Sequence, residues 1–84
     1  MPVSTMTLAE RIARILAGRA ASLNAEGEDA SAGAEVDAIW RDYREGALAI
    51  LHTLREPDEA MARAGDAEIW ARMVDAALAP AEAL

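Results

Sequence analysis

Apolar residues recur along the chain at spacings of three, four, seven and eight. Leu8, Ile12, Ile15, Leu16 and Leu23 form a first set. Val36, Ile39, Trp40, Tyr43, Ala47, Ile50, Leu51 and Leu54 form a second, and Ile69, Trp70, Met73, Val74, Ala77 and Leu78 a third. Such spacings gather each set on one side of a helix, whereas a strand would alternate. The pattern predicts an all-α fold: a small bundle of three main helices, about 8–23, 34–54 and 66–79, plus a short helix at about 57–64.

The residues between the stripes place the helix ends. Thr7 and Glu10 fit a capping box that starts the first helix at Leu8. Gly18 weakens its later turns by about 1 kcal/mol relative to Ala, and Asn24 suits its end. Residues 24–33 carry two glycines and an acidic cluster without periodicity, which reads as a solvated loop. Gly46 within the second helix marks either a close helix contact or a kink. Pro57 fits the first position of the short helix, because it lacks the amide hydrogen that a first turn leaves unused. Gly65 then serves as its C-cap, Asp66 as the N-cap of the last helix, and Pro80 as that helix's stop. Residues 1–6 read as a disordered lead-in with Met6 an alternative start, residues 7–80 as a single helical domain, and residues 81–84 as a frayed tail.

Composition narrows the reading. A chain of 84 residues buries only about two-thirds of its unfolded surface, so its core is marginal. With no cysteine, disulfides and thiolate-bound metals are excluded, and a partner subunit is the remaining supplement to the core. Abundant Ala raises helix propensity and lets helices approach closely. All eight basic residues are Arg, against fifteen acidic ones, for a formal charge of −7. That charge opposes nonspecific binding to nucleic acid or an anionic membrane. No stretch reaches the roughly 18 apolar residues of a membrane span, and a cytoplasmic location is expected. The Ala, Arg and Ser of the first 23 residues faintly suggest a transit peptide, which Glu10 within a capped periodic helix argues against. Glu10 and Arg14, Asp37 and Arg41, Glu59 and Arg63, and Glu68 and Arg72 stand four apart in the favourable order for intrahelical ion pairs.

The sequence offers little to build a reaction from. His52 is the sole histidine, and of positions 48, 49, 55 and 56 only Glu56 could join it as a ligand or acid–base partner. That is too few for zinc, and no nucleophile accompanies the pair. Glu26, Glu28 and Asp29 lack the ligand spacing of a calcium loop. Asp42 and Glu45 read as solvated carboxylates, and no glycine-rich phosphate loop occurs. No cofactor or metal is expected. The short helix, Gly65 and the last helix imitate a helix-turn-helix, but Asp66 and Glu68 at the start of the second helix would repel phosphates. Trp40, Tyr43, Trp70 and Met73 are the candidate interface residues, since large aromatic and sulfur side chains serve both cores and contact surfaces.

Leu54-Arg55-Glu56-Pro57-Asp58-Glu59-Ala60-Met61, Ala64-Gly65 and Ile69-Trp70-Ala71-Arg72-Met73-Val74-Asp75-Ala76-Ala77-Leu78 form a moderately specific pattern. With the aromatic pair Trp40 and Tyr43, it resembles a group of short uncharacterised all-helical proteins of alphaproteobacterial genomes, often in phage or prophage surroundings. The likeness spans roughly residues 7–79, with Asp58 where the group often has Thr or Ser. It implies a helical fold and a phage-like origin, and brings no activity with it. The expected role is therefore a non-enzymatic accessory or regulatory module that contacts a protein partner, itself as a homodimer included. The alternative is a transcription-related regulator or DNA mimic acting through the last two helices.

Overall fold

The computed structural model of the chain describes residues 3–24 and 32–82. Among them there is no strand, and the all-α expectation holds. The order is α1 (Leu8–Asn24), α2 (Ala32–Ile39), a 3₁₀ segment (Trp40–Tyr43), α3 (Arg44–Leu54), α4 (Glu59–Ala64) and α5 (Ala67–Glu82). The acidic run with Glu26, Glu28 and Asp29 lies outside the described residues. The chain divides into two compact units, Met1–Ala47 and Leu48–Leu84.

The first unit is built on small residues. Ala9, Ala13, Ala17 and Ala21 stand one turn apart along α1 and are all buried. Ala13 and Ala17 pack with Trp40 and Ala47, and Ile12, Val36, Ile39 and Tyr43 close over this cluster. The hydrophobic stripe read from the larger side chains is therefore displaced around the helix. Ile15, assigned to the packed side by its spacing, is 63% exposed. Alanine sits on the contact line because its lack of bulk lets the backbones come close, so large residues beside it cover the seam rather than fill it. Gly46 follows the same logic: a Cβ there would lie 3.3 Å from Leu16 Cδ1. Of its two readings, the close contact is the observed one.

The long second helix is broken, and the break falls at Trp40–Tyr43. In a 3₁₀ segment residues three apart eclipse one another. Trp40 and Tyr43 are thereby aligned toward the Ala13–Ala17 cluster, an alignment that α-helical winding would spread by about 60°. Thr7 caps α1, its Oγ1 accepting from the Glu10 amide at 3.2 Å. Glu10 turns outward to Arg14, Nε to Oε2 2.9 Å, so half of the expected capping box forms.

In the second unit Leu51, Val74 and Leu78 are the buried apolar residues. The short helix starts two residues later than its proline suggested. Asp58 is its N-cap, with Oδ1 accepting from the Met61 amide at 2.9 Å, and Pro57 precedes it. A carboxylate that satisfies a first-turn amide is worth more than a proline that merely lacks one. Gly65 is the C-cap as expected, its N–H bonded to the Met61 carbonyl. Its φ of −154° lies outside the left-handed region that a glycine cap usually supplies. Asp66 caps α5 by accepting from Glu68 N at 2.9 Å and Ile69 N at 3.0 Å. Pro80 does not stop α5, which continues to Glu82, so residues 81 and 82 are helical rather than tail. A proline in a final turn forfeits one backbone bond while the preceding turns already hold the helix.

Candidate protein-docking groove

The α4–α5 connection shapes a concavity within the second unit. Two carboxylates set the starts of both helices, and Gly65 and Asp66 alone join them. Pro57, Met61, Gly65, Asp66, Ala67, Ile69, Trp70 and Met73 line a groove of about 370 Å³. Its large side chains are open to solvent: Met61 is 41% exposed, Ile69 46% and Met73 61%. Trp70 is half-buried and anchored, its Nε1–H donating to the Leu54 carbonyl at 2.5 Å. That bond satisfies one of the carbonyls that the end of α3 leaves without a helical partner. Arg55 adds a two-pronged tie to Asp75, Nε–Oδ1 2.6 Å and Nη2–Oδ2 3.2 Å. The hydrogen bonds from Arg55 are the main reason the Asp75 carboxyl sits below its ordinary 3.8 and the Arg55 guanidinium above its usual value.

The volume and the lining suit an apolar group, and offer a strongly polar substrate few partners. Asp66 is the only acidic or basic side chain in the lining, and both of its amide bonds serve the cap. A site for a polar substrate needs several converging polar groups, whereas thioether and aliphatic walls accept apolar side chains of varied shape. The groove is thus a receptacle for apolar groups rather than for charged ones.

The four candidate interface residues fall in two places. Trp40, 8% exposed, is a core residue of the first unit, and Tyr43 packs against the same cluster. Three guanidinium groups surround the Trp40 ring, those of Arg41, Arg14 and Arg44 lying 4.6, 5.2 and 5.7 Å from its centre. Arg14 also holds Asp37, Nη1–Oδ1 2.6 Å, so Asp37 reaches across to α1, whereas the spacing pairs it with Arg41, which lies beyond the end of α2 in the 3₁₀ segment. These bonds, the one to Asp37 foremost, raise the Arg14 pKa. Trp70 and Met73, in contrast, belong to the groove. Sequence reasoning missed Met61 as their companion. Its signal was a lone thioether in a helix otherwise made of Ala, Glu and Arg.

His52 and Glu56 are exposed, and neither lines the groove. Among the described residues no three His, Asp or Glu side chains gather as a metal site. No helix among them is long and apolar enough to cross a membrane. At the helix-turn-helix look-alike, the Glu68 and Ile69 amides at the start of α5 are already taken by the Asp66 carboxylate. A phosphate would meet negative charge there instead of free donors. Comparison of the chain with protein families, curated proteins and solved structures yields no match.

Proposed function

We propose that this protein is a small, acidic, non-enzymatic interaction module that works in the cytoplasm by receiving apolar side chains of a protein partner in the α4–α5 groove. The observation that supports this reading is the exposure of Met61, Ile69 and Met73 around one concavity. Scattered apolar residues are normal on a surface, but several converging on a shaped groove mark a contact site. The accessory role and phage-like origin follow the resemblance described above.

The test is site-specific photo-crosslinking in the cell that encodes the protein. A photoreactive side chain at position 73 is expected to give discrete protein adducts, and the same group at the exposed position 52 to give none. Equal labelling from both positions, or no adduct from position 73, would refute the reading.

A further inference from the structure

We infer that the groove's occupant is a second copy of this chain, inserted through the exposed ridge Arg11–Ile15–Arg19 of α1. This deepens the interaction reading above and rests on it.

Two surfaces of the same molecule match in shape class and in charge. The groove is apolar with one carboxylate in its lining, Asp66. Asp58 caps α4, and Glu59 and Glu68 lie in the first turns of α4 and α5. With Arg63 paired to Glu59 at 3.9 Å, the acidic side chains remain in excess there. The groove's natural counterpart is a convex apolar side chain between two cations. Ile15 supplies that. It is 63% exposed, and Arg11 and Arg19 stand one turn before and after it on the same side of α1, both exposed. Among the described residues, the other exposed large apolar residues outside the groove, Val3, Met6, Ile50 and Leu54, carry no such flanking pair.

The overall charge of −7 does not forbid the contact. Charges beyond about 8 Å are largely screened at physiological salt, so the local match decides. Because ridge and groove are different surfaces, the contact is heterologous: copies join head to tail, closing as a ring or growing as a chain.

The experiment is analytical ultracentrifugation of the purified full chain over a wide concentration range. Wild type is expected to exceed monomer mass as concentration rises, and less so at high salt. Ile15→Asp spoils the ridge and Met73→Asp spoils the groove, so each variant alone is expected to stay monomeric. Mixed in equal amounts they are expected to form a dimer that grows no further, since one retains the groove and the other the ridge. Arg11→Glu with Arg19→Glu leaves the apolar residues intact and is expected to weaken association by about tenfold or more, as facing charges become alike. Circular dichroism verifies that each variant keeps its helices. A wild type that stays monomeric throughout overturns the inference, and so does self-association of Ile15→Asp alone or failure of the mixture to pair. Adducts to other proteins from position 73 would still stand in those cases, which separates this inference from the broader reading.

Discussion

Trp70 donates its indole N–H to the main-chain carbonyl of Leu54, a side chain of α5 closing the end of α3. The bond leaves the indole half-buried, with one edge fastened and its ring free to line the groove. A single residue thus both fixes the local architecture and forms the proposed contact surface. Trp70→Phe keeps the apolar bulk and removes only the donor. It is expected to cost about 0.5–1.5 kcal/mol in chemical denaturation, the range of one neutral hydrogen bond, and Trp70→Ala to cost more.

The alanine row of α1 gives a sharp contrast. Ala13 and Ala17 are fully buried against Trp40, whereas Ile15 lies outside. Ala13→Leu should destabilise by about 1–3 kcal/mol or more, through overpacking. Ile15→Ala should change stability by no more than about 0.5 kcal/mol. Thermal unfolding of both variants checks the assignment, and equal effects would return the packed side to the stripe of larger residues.

Asp75 sets an acid limit. Its folded pKa is depressed, chiefly by the Arg55 hydrogen bonds, so it binds its proton less readily folded than unfolded. The stability it contributes is present above the ordinary 3.8 and is lost as pH falls below that value toward its folded pKa. Asp75→Asn should flatten the stability profile in that acidic window and leave its slope near neutrality unchanged, as urea midpoints at stepped pH would show.

Two carboxylates cap the helices that bound the groove. Asp58→Ala and Asp66→Ala should each cost about 1 kcal/mol, typical of a lost N-cap. Asp66 holds two amides and Asp58 one, so the larger loss is expected at Asp66. Amide exchange in the first turns of α4 and α5 would report each loss separately.

The helical class and most helix ends were legible in the sequence. Periodicity and capping act within a few residues, so Thr7, Gly65 and Asp66 could be read where they stand. The break at Trp40–Tyr43 was not, because nothing local demands it: the tighter winding aligns two aromatics with alanines far away in the chain. Ile15 misled for the same reason, since hydropathy ranks isoleucine above alanine while close packing prefers the smaller residue. Of the site, the size of Trp70 and Met73 marks them in the sequence, whereas Met61 joins them only through the α4–α5 turn.

By itself the sequence determined that this chain is helical, acidic, free of disulfides and poor in reactive groups, because those properties reside in residue types and short spacings. Which side of α1 is packed, where the central helix breaks and which large residues stay open to solvent were decided only in three dimensions. Those outcomes depend on how closely two backbones can approach, and that is a property of pairs of segments rather than of either one.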